Sequence, residues 1–272
     1  MNLFNNHTHT KNSHDSNAEI TDICEYALRT GLSGFAVSDH CDCEYHTDPL
    51  VRQGMFNSFA DAENAKTHYK DRLIISTGIE IGEALFAPDF ANEIISSADW
   101  DLVNGSVHAV RFPKWDMPFS VIDFSDKDDK FINAYLKAYF DDVLEMIRKT
   151  DFDVLCHLTV PLRYIVKKYG KQVDISLYCD IIEKILKETI KRDKTLEINT
   201  SGFSSADPFY MPDENIIDMY IQLGGKSFTL GSDAHTPENI SVGLIEAADM
   251  LKNKGITKLT YYNKRKPVFY EI

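Results

Sequence analysis

Short apolar runs alternate along this chain with longer amphipathic stretches. The runs that fit strands are 2–7 (NLFNNH), 34–40 (GFAVSDH), 73–80 (LIISTGIE), 101–108 (DLVNGSVH), 152–157 (FDVLCH), 195–199 (TLEIN), 228–233 (FTLGSD) and 258–262 (KLTYY). Each is a short apolar run of strand length. Between them, apolar positions recur at helical spacing over roughly 18–30, 58–70, 88–97, 128–149, 174–192, 213–223 and 238–253. Pro212 and Asp213 open the stretch 213–223 and Gly224-Gly225 follow it, which are start and stop signals for a helix. Thr236-Pro237-Glu238 opens the last stretch, with the proline in a first-turn position. A βα rhythm kept up over about 250 residues predicts a parallel sheet with helices packed on it, open or closed into a barrel.

Three stretches break the rhythm: 41–57, 109–127 (AVRFPKWDMPFSVIDFSDK) and 200–212 (TSGFSSADPFYMP). The second carries two prolines and several aromatics without a clear period. It reads as a long loop, and long loops in compact domains are often functional.

Length and composition narrow the picture. The chain has 272 residues, 43% of them hydrophobic and 26% charged, which fits one α/β barrel domain over residues 1–272. Its formal charge of −13 disfavours binding to a phosphate backbone, so nucleic acid is not an expected partner. That mean field does not exclude a small anionic substrate, because a local cleft filled with cations overrides it. No apolar run reaches the ~18 residues of a membrane span. The first 20 residues are polar, without the apolar stretch of a signal peptide. Five scattered cysteines, at 24, 41, 43, 156 and 179, fit reduced thiols in a cytoplasm better than a disulfide framework.

The titratable residues fall in a pattern on this map. His7 ends the first strand candidate and His9 lies just beyond it; Asp39-His40, Glu80, His108, His157 and Asp233-Ala-His235 stand at the ends of five others. In parallel α/β folds, ligands bind at the carboxyl ends of the strands. Residues i and i+2 of an extended strand point the same way. His7 and His9 therefore face one ion together, and Asp233-x-His235 repeats the device. A lone H-x-H or D-x-H, or a lone strand-end histidine, carries little weight; six strand ends delivering ligands to one face carry much more. Nine candidate ligands exceed what one ion takes, so a cluster of two or three divalent ions fits the count. Imidazole with carboxylate suits zinc, manganese or iron, and a carboxylate such as Glu80 can bridge two of them. His46 and His68 lie away from the strand ends and read as surface residues. Cys41 and Cys43 read as loop residues near the metals and Cys156 as a packed strand residue.

At this point the chain resembles a family. The motifs H-T-H-T, S-D-H, G-I-E, G-S-V-H, L-C-H-L, E-I-N-T and G-S-D-A-H, in this order from His7 to His235, are similar to those of the polymerase-and-histidinol-phosphatase (PHP) metal hydrolases. The E-I-N-T and G-S-D-A-H contexts look most like the monofunctional histidinol-phosphate phosphatases. The resemblance implies a distorted (β/α)7 TIM-like barrel with three metals. Carried over by position, His7, His9, Asp233 and bridging Glu80 would hold the first metal. Glu80, His108 and His157 would hold the second; Asp15, His40 and His235 the third. His14 is the alternative to Asp15, one residue off register.

The implied reaction is hydrolysis of a small phosphorylated metabolite, L-histidinol phosphate by closest likeness, in histidine biosynthesis. Other family phosphoesterases, acting on nucleotides or small diphosphates, are the alternative. An amidohydrolase also begins with H-x-H, but typically bridges its metals with a carboxylated lysine where this chain has Glu80. Metal-held hydroxide would be the nucleophile, since metals lower the pKa of water to about 7. Catalytic carboxylates would be Glu80, Asp233 and Asp39, the last as a candidate acid for the leaving alkoxide. One family arginine, after the fifth-strand histidine, is matched by Arg163. The arginine usual after E-I-N-T is absent from Thr200-Ser201-Gly202-Phe203-Ser204-Ser205. Arg111, Lys11 and Lys114 are the candidates to replace its charge.

Overall fold

A computed structural model describes residues 3–272. Seven parallel strands lie in chain order: β1 (Phe4–Asn5), β2 (Gly34–Asp42), β3 (Ile74–Gly82), β4 (Leu102–Ser106), β5 (Val154–Leu155), β6 (Thr195–Asn199) and β7 (Phe228–Gly231). The first and last strands meet beyond their formal ends, where the Asn6 amide donates to the Leu230 carbonyl at 2.7 Å and Thr8 bridges Ala234 in parallel. The result is the nearly closed seven-stranded barrel that the motifs implied. Helices α1 (Ile20–Thr30), α2 (Pro49–Tyr69), α3 (Pro88–Ser96), α4 (Asp129–Lys149), α5 (Cys179–Lys191), α6 (Glu214–Gln222) and α7 (Leu244–Asn253) follow the strands in turn. Their buried apolar faces and the outward strand residues make the main core, with Phe35, Ile79, Val103, Leu196 and Leu230 fully buried. No helix among the described residues is long and apolar enough to cross a membrane.

Two elements depart from the expected boundaries. α2 begins at Pro49 rather than near residue 58. Asp48 caps it by accepting from the Leu50 amide at 2.9 Å, and Pro49 takes the first turn. Gly54 lets this helix pass the loop after β1, since a Cβ there would lie 3.2 Å from the Asn12 carbonyl oxygen. The eighth expected strand, β8 (Lys258–Asn263), stays out of the barrel and pairs antiparallel with β9 (Lys266–Glu271). At the other end, Pro237 opens a short 3-10 turn, and α7 starts only at Leu244.

The barrel interior changes character along its axis. At the amino-terminal end Phe4, Ala36, Leu102, Val154 and Cys156 pack with Tyr262 of β8 in an apolar plug. One level up sits a neutral polar layer: Asn104 donates to the Asn6 carbonyl and to Ser38 Oγ, both at 3.1 Å. The ionisable groups lie above, at the carboxyl ends. The plug fills one end, and the cleft lies at the other, as in parallel barrels generally.

Candidate metal centre

Strand register brings the ionisable groups together. His40 stands opposite Glu80 in the β2–β3 ladder and Asp42 opposite Gly82. Because strand residues alternate sides, His40 and Asp42 face the barrel mouth. Around Glu80, which has no exposed surface, four imidazoles converge: His40 Nδ1 and His157 Nε2 at 2.9 Å, His108 Nε2 at 3.3 Å and His7 Nε2 at 3.4 Å. His9 Nε2 lies 3.1 Å from Asp233 Oδ1. Asp15 Oδ2 lies 3.1 Å from His235 Nε2 and 3.7 Å from His40 Nε2. The nine residues expected as ligands are thus all at one place.

His7 and His9 reach it as an extended pair: the Asp233 amide donates to the His7 carbonyl, the His9 amide to the Ala234 carbonyl, both at 2.9 Å. The expected same-face geometry of Asp233 and His235 needs correction. β7 stops at Gly231 and Asp233 has φ +52°, so a turn rather than a strand aims both side chains inward. His157, with φ +25°, and Glu83, with φ +51°, also adopt left-handed backbone at the site. Such strained conformations cluster where function fixes a side chain.

Electrostatics bind the cluster together. Burial disfavours charge on His7, yet the Glu197 and Glu80 carboxylates outweigh it and hold its pKa well above the ordinary imidazole value. Burial disfavours charge on Glu80 too, and His7, His108 and His40 overcome that, holding its carboxyl well below its usual range. His9 is pushed down, by burial and by the His235 and His40 imidazoles. Even so, His7 Nε2, His9 Nε2, His40 Nδ1, Glu80 Oε2 and His235 Nε2 are buried without a hydrogen-bond partner. Buried polar atoms of native proteins are ordinarily satisfied. Five such atoms, all imidazole nitrogen or carboxylate oxygen and falling in overlapping groups whose ligand atoms lie within 4.8 Å of one another, fit divalent metals.

The remaining expected residues separate. Arg163 lies in a short π-helical turn, Arg163–Lys168, lines the cleft, and donates to Ser201 Oγ at 3.3 Å. Lys11 also lines the cleft, but its ammonium is 2.6 Å from Glu19 Oε2. Arg111 is a correction. Its guanidinium donates to Asp142 Oδ1 and Glu145 Oε2 of α4, each at 2.6 Å, and it stands outside the cleft lining, as does Lys114. Asp39 also departs from the expected role. It precedes His40 and so points to the opposite side of β2, where it accepts from the Thr10 amide, Thr10 Oγ1, Ser13 Oγ and Ser58 Oγ at 2.6–2.8 Å. A fully buried carboxylate with four donors has no free lone pair directed at the cleft. It ties the loop after β1 to α2 instead.

Glu197, Asp42 and Glu83 lie outside the expected set yet belong to this neighbourhood. Glu197 accepts from His7 Nδ1 at 2.7 Å and from the His157 amide at 2.8 Å. A carboxylate behind a ligating imidazole fixes its tautomer and raises its basicity. Glu197, between Leu196 and Ile198 in TLEIN, carried no signal beyond that of a strand; for Asp42 the signal was the i+2 position after His40. Gly82 keeps space beside Asp42: a Cβ there would lie 2.8 Å from Asp42 Oδ1 and 3.2 Å from His108 Nδ1. The cleft above these groups holds about 640 Å³, with Pro118, Phe119 and Val121 of the long loop on one wall and Val160 and Tyr164 near Arg163.

A model of the PHP domain matches residues 5–201. The chain belongs to the PHP family. A Thermotoga maritima protein named "Probable histidinol-phosphatase" is 30% identical over 97% of both chains. A Clostridium acetobutylicum protein of the same name is 25% identical, covering 99% of this chain and 97% of its own. Among solved structures, the fold matches the Lactococcus lactis histidinol phosphate phosphatase, complexed with zinc, L-histidinol and phosphate, with a TM-score of 0.80 at 21% identity over 98% of each chain. As a member of this family, the chain carries a full set of candidate ligands, Glu80 included, and lacks an arginine between Thr200 and Ser205.

Proposed function

We propose that this PHP protein is a metal-dependent phosphomonoesterase whose substrate is L-histidinol phosphate, which it converts to histidinol and phosphate. The observation that carries the reading is the convergence of unpartnered imidazole and carboxylate atoms on Glu80, facing a cleft that also holds the Arg163 guanidinium. The full-length likeness to the named phosphatases supports it. Two or three ions are needed to use the donors: His7, His9, Glu80 and Asp233 for one, Glu80, His108 and His157 for a second, Asp15, His40 and His235 for a third. Zinc, manganese and iron suit these donors. Such ions supply Lewis-acid polarisation of a phosphoryl group and a nucleophile drawn from water at neutral pH.

The chain's own residues do the rest. Arg163, steadied by Ser201, offers a planar fork of donors to phosphoryl oxygens. Ser201 falls in the run where the usual second arginine is missing, so one guanidinium serves there. Glu197 holds His7 in one tautomer and fixes the backbone of His157. Phe119, Tyr164 and Val160 exclude water beside the reacting group. No serine or cysteine nucleophile is required. The acidic chain repels polyanions, which supports a small metabolite rather than nucleic acid as partner, and five free cysteines fit a cytoplasmic setting.

A panel of phosphomonoesters, nucleotides and small diphosphates, assayed for phosphate release with zinc or manganese, tests the assignment. L-histidinol phosphate is expected to show the highest kcat/KM. A nucleotide or diphosphate exceeding it would move the substrate assignment to another phosphoesterase of the family.

A further inference from the structure

Beside the metal centre, at the ends of β2 and β3 and the turns after them, carboxyl groups gather without a matching cation. Asp42 Oδ1 and Glu83 Oε2 have no hydrogen-bond partner, and the two residues are only 8% and 2% exposed. One atom from each, with a ring nitrogen of His108, lies within 4.8 Å of the others. Glu44 adds a third buried oxygen without a partner, Oε2. Asp42 and Glu44 both line the cleft, as do Tyr45 and Asp48. Among the described residues, no lysine or arginine pairs with Asp42, Glu44 or Glu83. The basic groups near them are His14, His40 and His108, at 3.6–3.8 Å. His40 and His108 already face Glu80.

We propose that Asp42 and Glu44, backed by Glu83, form a subsite for a positively charged nitrogen, so that the enzyme selects phosphomonoesters bearing an ammonium group near the ester. The inference rests on the phosphomonoesterase reading above and adds which substrates that site prefers. An ammonium brings three donors and a full charge to oxygens that otherwise lack both. An ester without the nitrogen leaves those buried oxygens unpaired, and sites built this way reject such analogues strongly. The subsite adjoins the reacting centre, since Asp42 Oδ1 is 3.7 Å from a ring nitrogen of His40 and of His108. Arg163, which lines the same cleft, suits the phosphate. The cleft thus presents an anion-binding and a cation-binding side to one small molecule.

The test uses the metal-loaded protein and three esters: L-histidinol phosphate, its counterpart lacking the amino group, 3-(imidazol-4-yl)propyl phosphate, and p-nitrophenyl phosphate as an amine-free reference. Wild type is expected to favour the aminated over the deaminated ester by at least about tenfold in kcat/KM. In Glu44→Gln and Glu44→Ala that ratio is expected to fall by about tenfold, mainly through KM for the aminated ester. A wild-type ratio near one, or a ratio unchanged in both variants, overturns the subsite. So does hydrolysis of p-nitrophenyl phosphate with no turnover of the aminated ester. Failure to hydrolyse any of the three overturns the phosphomonoesterase reading itself, and the subsite with it. Extra tightly bound metal that Glu44→Gln loses, without any preference for the amine, would assign the carboxylates to an ion instead.

Discussion

Asp15 and His14 are neighbours with opposite surroundings. The Asp15 carboxylate faces His235 and His40. Burial would raise its pKa, but the two imidazoles beside it outweigh that and pull it down, well below the usual carboxylate range. The His14 side chain is 68% exposed and its nearest acid, Asp42, is 3.6 Å away. Asp15→Ala is therefore expected to lose one equivalent of metal and lower kcat by about a hundredfold or more, the order seen when a group stabilising transition-state charge is removed. His14→Ala should change either by less than about twofold, since exposed positions seldom matter. Metal analysis with steady-state kinetics on both variants decides; equal losses would remove Asp15 from the centre. Glu197 acts one step back. Glu197→Gln keeps its shape but loses the charge behind His7, and is expected to weaken metal binding about 10–100-fold, read by competition with a chelator. Wild-type affinity in that variant would leave Glu197 a structural residue. Most candidate ligands were legible because strand-end spacing groups them; Asp15 came only from the resemblance. Glu197 was not legible, because TLEIN reads simply as a strand, and its role appears only when His7 from β1 comes across the barrel. Asp39 departs from the expectation for the opposite reason: it adjoins His40 in sequence, and strict alternation sends it to the other face.

At the scale of elements, the βα rhythm held the seven barrel strands and their parallel order among its eight strand candidates, since each apolar run needs a helix to cover it; the number seven came from the resemblance. Starts and stops were less legible. α2 begins nine residues early because Asp48-Pro49 is a strong opening, while Gly54 and the mixed run after it blur the period. The C-terminal hairpin has no counterpart in the rhythm, and β9 was not expected because its polar and apolar positions lie on an exposed ribbon. Asp101 is the strut that docks this hairpin. Its carboxylate accepts from the Lys264 amide at 2.8 Å, from the Thr77 amide at 3.1 Å and from the Lys66 ammonium at 2.7 Å. Burial works to raise its pKa, but Lys66 and the two amides outweigh that and hold it below the usual value. A depressed carboxylate stabilises the fold above its unfolded pKa of about 3.9 and stops doing so as pH falls through the lower folded value. Asp101→Asn is expected to cost about 1–3 kcal/mol at neutral pH, a loss of several degrees in Tm for a chain this long. The gap between wild type and variant should close as pH drops below about 4. A gap that stays constant from pH 7 to pH 3 would contradict the strut.

The whole molecule is organised along the barrel axis, from an apolar plug under Tyr262, through neutral amides, to the ionisable mouth. That gradient confines chemistry to one end. It also concentrates acids: the chain carries a formal charge of −13, and the mouth adds buried carboxylates that imidazoles only partly offset. Burying charge without a partner is costly, so the mouth calls for cations, divalent ones at Glu80 and, by the inference above, an ammonium at Asp42 and Glu44. Barrel class and metal centre could be read from the sequence because strand order fixes which residues share a mouth. The cleft's acidic wall could not, because it depends on how a turn and three neighbouring strands meet in space. The most direct test of the account is phosphate release from L-histidinol phosphate before chelation, after it, and after zinc or manganese is restored. Chelation is expected to abolish turnover and added metal to restore it. Turnover indifferent to chelation, or none with metal present, would contradict the account.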